Sequence, residues 1–134
     1  MKTTETEARG ILKRMMANGP LTALPRGRRD LAYLLALGAA RFDPARDHSE
    51  AQVNELLQAW LAPFSSPCGV DHVTVRRCLV DAGLLVRDKS GASYRVAADR
   101  VSESVEDGAR KLDPAAVMAE VRAERDARKR MARA

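Results

Sequence analysis

Apolar residues recur at helical spacing in five stretches of this chain and alternate in two short ones. Ala8, Ile11, Leu12, Met15 and Met16 fall at i, i+3, i+4, i+7 and i+8, one face of a helix over residues 4–18. Thr4 and Glu7 have the spacing of a capping box, in which each side chain satisfies a backbone N–H of the other's turn. Gly19-Pro20 ends that helix. Arg28 to Ala40 predicts a second helix, with Leu31, Leu34, Leu35 and Gly38 as its buried stripe and Phe42 following. Asp43-Pro44 stops it. Ser49 and Gln52 form a second capping box. Behind them Val53, Leu56, Leu57, Trp60, Leu61 and Phe64 give the strongest periodic signal in the chain, assigned to the core.

Pro63 to Gly69 reads as a loop, after which Asp71 caps a fourth helix ending near Ala82. On a helical wheel Val75, Cys78, Leu79 and Ala82 cluster, Thr74, Arg77 and Asp81 lie opposite, and Arg76 sits at the flank. Gly83 suits a left-handed C-cap. Leu84–Arg87 and Ala92–Val96 alternate as half-buried strands around Asp88-Lys89-Ser90-Gly91, with Gly91 supplying the positive φ of a hairpin loop. Residues 98–112 are polar and of mixed charge and read as a linker. Asp113-Pro114 then starts a final helix running toward Arg133, whose apolar stripe (Val117, Met118, Val121) covers only its first turns. The predicted fold is α+β and mostly helical: a winged-helix-like core of three helices plus a β-hairpin, with helical extensions at both ends. The divisions are residues 1–23 (N-terminal helix and linker), 24–97 (winged-helix-like domain) and 98–134 (linker and basic C-terminal helix).

Charge refines this picture. The 134 residues carry a net charge of +5, a balance that favours phosphate backbones or acidic partners. Residues 24–97 hold ten basic and eight acidic side chains, and residues 98–134 nine and eight. From Ala8 to Arg29 there are six basic residues and no acid. One Trp, two Tyr and two Phe leave few rings for stacking on single-stranded bases. The two cysteines make no disulfide framework, no secretory leader is visible, and no apolar run approaches the ~20 residues of a membrane span. A cytoplasmic setting is the expectation.

The fourth helix and the hairpin carry the candidate chemistry. Arg77 with Thr74 would face a major groove, where Arg pairs bidentately with guanine, and Arg76 would hold phosphate. The structural alternative is an Arg77–Asp81 ion pair at i, i+4. Arg87 and Lys89, with Arg95, would make a basic wing. Arg26, Arg28 and Arg29 stand at a helix N-terminus, against the macrodipole, where phosphates or an acidic partner would offset them. Cys68, His72 and Cys78 have the spacing C-x3-H-x5-C, which matches no common zinc pattern. There is no G-x-S-x-G and no phosphate loop, so no enzyme, metal or cofactor is expected.

Leu24-Pro25-Arg26-Gly27-Arg28-Arg29, Ala40-Arg41-Phe42 and Ser49 to Leu57 form one half of a longer pattern. Asp71, the run Val75-Arg76-Arg77-Cys78-Leu79-Val80-Asp81-Ala82-Gly83-Leu84-Leu85-Val86-Arg87, and Tyr94-Arg95 form the other. Together they resemble a bacterial domain-of-unknown-function family with an R-R-x-L-V-D-x-G-L-L-x-R motif, over about residues 24–97. That family occurs alone and joined to helix-turn-helix regulators of the ArsR type. His48 stands where the family usually has Tyr, and Pro63–Gly69 is a longer loop. The resemblance implies transcriptional regulation. The expected partner is double-stranded DNA. The alternative is a homodimer or regulatory protein partner without DNA contact, and a small-molecule sensor is a third option.

Overall fold

The computed structural model describes residues 2–133. Helix α1 spans Glu5–Met15, and both halves of its capping box form: Thr4 Oγ1 accepts from Glu7 N at 3.1 Å, and the Glu7 carboxylate accepts from Thr4 N at 3.4 Å. It stops earlier than its periodicity predicts, with Met16 buried in the turn that follows. Helix α2 is Arg28–Ala39 and α3 is Glu50–Leu61, with the Ser49–Gln52 box in place. Helix α4, His72–Asp81, is capped by Asp71. Gly83 then turns the chain at φ +74° into the hairpin of β2 (Leu85–Arg87) and β3 (Ser93–Val96), and Gly91 at φ +76° closes the hairpin loop.

One strand escapes sequence reading. β1 is only His48–Ser49, too short to alternate, and it pairs antiparallel with β3 through His48↔Tyr94 and Ser49↔Ser93. The sheet order is β1-β3-β2, so β3 is central and Tyr94 and Val96 are buried. The His48 ring meets Phe42 edge-on at 5.2 Å. The Trp60 ring of α3 packs against Gly38 of α2, where a Cβ would lie 2.8 Å from it. Trp60 in turn meets Phe64 edge-on at 5.1 Å.

Residues 98–112 are not a linker. They form α5 (Ala98–Ser104) and α6 (Asp107–Arg110), which bury Val101, Val105, Ala109 and Leu112. These apolar residues come about one per turn among charged ones, too sparse to read as a stripe. Their effect is on α2. That helix is buried continuously from Tyr33 to Ala39, not on one stripe, because α4 covers one side and α5 and α6 another. The Tyr33 hydroxyl donates to the Ala109 carbonyl at 3.0 Å, and burial pushes its pKa far above the ordinary phenol value. Helix α7, Pro114–Arg133, packs with its first half on α1. The α+β expectation therefore holds: a three-helix core, a small antiparallel sheet, and helical extensions on both sides.

Candidate nucleic-acid interface

Helix α4 holds two adjacent arginines in opposite situations. Arg76 is turned inward, its side chain only 16% exposed. Its Nη1 donates to Asn54 Oδ1 at 2.5 Å and its Nη2 lies 3.4 Å from Glu50 Oε1. The Tyr94 hydroxyl donates to the same Glu50 oxygen at 3.2 Å. Arg76 therefore ties α4 to α3 and β3. Glu50 and Asn54 stand at i, i+4 on α3; that spacing was the available sequence signal for a polar contact, and the charge pattern alone did not single them out.

Arg77 is exposed with Thr74 and Asp81. Among the described residues it makes no ion pair, so the i, i+4 contact with Asp81 is not formed. Thr74 donates to Asp71 Oδ2 at 3.3 Å. The backbone N–H of Val73, with help from the Thr74 hydroxyl, holds the Asp71 carboxyl below its usual range.

On the hairpin, the Arg87 guanidinium lies 6.0 Å from the centroid of the Tyr94 ring, within cation–π range. Lys89 is exposed at the loop tip, and Arg95 pairs with Asp47 at 2.8 Å. Asp88 organises the loop: its carboxylate accepts from Ser90 Oγ at 2.8 Å, Ser93 Oγ at 2.8 Å and Ala92 N at 3.1 Å. Those donors, the Ser90 and Ser93 hydroxyls first, hold its pKa at about 2.

The Arg26, Arg28, Arg29 group divides as well. Arg29 forms an ion pair with Glu7 of α1. Arg26 and Arg28 are exposed and make no ion pair among the described residues. Gly27 supplies no side-chain cap to α2, and Asp30 in its first turn is held by Arg14 at 2.8 Å.

The loop between α3 and α4 is long and anchored. Leu21 N donates to Phe64 O at 2.9 Å, and Ser66 N to Leu21 O at 2.8 Å. A Cβ on Gly69 would lie 2.7 Å from Leu21 O. Residues 62–71 separate the two helices, against the turn of about 3–4 residues in a simple helix-turn-helix. Cys68 is exposed and Cys78 half-buried, and among the described residues no group of three or more His, Cys, Asp or Glu is placed to hold a metal ion. No described helix is long and apolar enough to cross a membrane.

No curated protein and no solved structure matches the chain. A family described as an uncharacterized protein conserved in bacteria, DUF2087, matches residues 20–96, which takes in α2 to β3 and leaves α1 and α5–α7 outside. That match covers more than half of the chain, and the chain belongs to this bacterial family.

Proposed function

We propose that the protein is a bacterial transcriptional regulator that binds double-stranded DNA through residues 24–97, acting in the cytoplasm as a winged helix. The observation that carries this reading is the order of parts. A helix, a short strand, two helices and a hairpin follow one another, with the first strand paired to the far strand of the hairpin. In such an arrangement the second helix of the pair enters the major groove and the hairpin lies beside it. Here that helix is α4, and its outward residues are Thr74 and Arg77. Lys89 and Arg87 on the hairpin, with Arg26 and Arg28, are the phosphate contacts in this reading. The resemblance of the R-R-x-L-V-D-x-G-L-L-x-R run to domains joined to ArsR-type regulators supports the regulatory role.

A second reading has its own observation. Arg76 is committed to Asn54 and Glu50, and Asp81 is exposed on the same face as Arg77. Both reduce what α4 offers a phosphate and favour a protein-interaction or dimerisation module without DNA contact.

Fluorescence anisotropy with a random-sequence duplex, at low and then higher salt, separates the two. DNA binding gives an affinity that falls with salt at a log-log slope of about −0.9 per phosphate neutralised, and Arg77→Ala weakens it with the fold intact. A folded protein that does not bind at low salt hands the α4 face to the protein-interaction reading.

A further inference from the structure

Helix α7 is two different objects joined end to end. Its first half is fastened to α1 by a ladder of contacts. Glu120 pairs with Arg9 at 2.9 Å, Glu124 with Lys13 at 2.9 Å, and Arg125 donates to the carbonyl of Ala17. Pro114 and Val117 are buried, with Met118 and Val121 half-buried, along the same stretch. The ladder ends where α1 ends. Beyond it α7 runs on for Asp126–Arg133, roughly 12 Å of helix at 1.5 Å per residue.

That second half is strongly basic, and from the ladder Glu124 lies one turn before Arg128, close enough for their charges to act on each other. It carries Arg128, Lys129, Arg130 and Arg133 against the single acid Asp126. All five charged side chains are exposed, and none makes an ion pair among the described residues. Its one large apolar side chain is Met131, 79% exposed. A short unpacked helix is marginal in water, and Lys129 and Arg133 repel at i, i+4. A lone Met131 provides no apolar stripe, which an interfacial membrane helix requires.

We propose that this segment is a second nucleic-acid contact, in which the overhanging half of α7 takes the sugar–phosphate backbone of duplex DNA. Charge complementarity selects the occupant: a cluster of exposed cations without an apolar stripe fits repeated phosphates. The choice of duplex rests on the functional reading above, but the surface is separate from α4. Sequence-independent phosphate contacts fix position on the duplex and carry no base information, so this segment adds affinity and α4 adds selectivity.

The test is the salt slope on a random duplex for three proteins: the wild type, Arg77→Ala with Lys89→Ala, and Arg128→Gln with Lys129→Gln, Arg130→Gln and Arg133→Gln. Glutamine keeps helix propensity, and circular dichroism checks the fold of each. The fourfold variant is expected to bind with a slope shallower by roughly 2 to 3.5, at about 0.9 for each phosphate it no longer neutralises. An unchanged slope in that variant, while the wild type binds, overturns this inference and leaves the functional reading standing. A slope abolished in the fourfold variant but unchanged by Arg77→Ala with Lys89→Ala supports this inference and overturns the α4 assignment. A folded wild type that does not bind duplex at low salt overturns both and points to an acidic protein as the occupant.

Discussion

Two regions of this molecule, the hairpin with α4 and the overhang of α7, use the same residue type in opposite ways. At the hairpin end most arginines have partners. Arg76 is held by Asn54 and Glu50, Arg95 by Asp47, and Arg87 lies over the Tyr94 ring. Along the ladder between α1 and the first half of α7, Arg9 and Lys13 are paired too, but beyond that ladder Arg128, Lys129, Arg130 and Arg133 are exposed and make no ion pair among the described residues. Net charge by segment hides this: residues 24–97 and 98–134 are both nearly balanced. What decides whether a cation is available to a ligand is which acids the fold brings against it. A guanidinium already bonded to a carboxylate must share or give up donors before it takes a phosphate.

The largest expected effect breaks the comparison at its base, by asking whether the two regions are separate bodies. Ending the chain after Ala97 removes α5, α6 and α7. The Tyr33 hydroxyl then loses the Ala109 carbonyl, and the side of α2 that α5 and α6 cover is bared. Val101, Val105, Leu112 and Val117 go with them, which leaves the apolar surface they cover on α1 and α2 in water at roughly 25 cal/mol per Å². Against a total of roughly 5–15 kcal/mol for a domain, the shortened chain is expected to be largely unfolded at 25 °C by circular dichroism. Cooperative urea unfolding of the shortened chain at the full chain's midpoint would show that the family-matched part folds by itself.

The next effect sharpens the comparison within one helix. Arg76→Ala leaves Asn54 and Glu50 without their donor in a partly buried site. It should cost about 1–3 kcal/mol in urea unfolding, the scale of an unsatisfied buried group. Arg77→Ala, on the exposed face, should stay within about 0.5 kcal/mol. Equal losses at the two positions would mean that Arg76 is not the tie between α4, α3 and β3.

Much of this arrangement was legible in the sequence where the signal was local. Both capping boxes, the α3 stripe, the Gly83 turn and the hairpin loop each depend on residues within a few positions of one another, and each formed. The wheel for α4 puts Thr74, Arg77 and Asp81 outward, as they are, and Val75, Cys78, Leu79 and Ala82 inward, which holds for all but Ala82, exposed at the helix end. What failed depends on partners far away in the chain. β1 exists because Tyr94 and Ser93 are there to pair with it. Residues 98–112 looked like a linker because their apolar residues are sparse, and they become helices by packing on α2. The inward turn of Arg76 depends on Glu50 and Asn54. Spacing along one helix sets what can meet; contacts between elements decide what does.

The smallest effect concerns the acids that accompany these cations. Asp88 has its pKa held at about 2 by the Ser90 and Ser93 hydroxyls. A carboxyl with a lowered folded pKa adds stability above its unfolded value of 3.8, and that contribution is lost as pH falls toward 2. Only the loop tip should loosen, because Asp88 N to Ser93 O at 2.9 Å and the pairing of β2 with β3 do not involve the carboxylate. The Ala92 amide proton shift should therefore titrate with a midpoint near 2, and Asp88→Asn should flatten it. A midpoint near 3.8 would show that the loop does not hold the carboxylate. At the other end the same acidification acts on a different kind of acid. The Glu124 pKa is lowered chiefly by the hydrogen bond from Lys13 and by its charge, so protonating Glu124 releases Lys13 beside the free cations of α7. Acid thus loosens a neutral turn at the hairpin end and adds an available charge at the α1–α7 end, so low-salt duplex affinity through α7 should rise, not fall, as Glu124 is protonated.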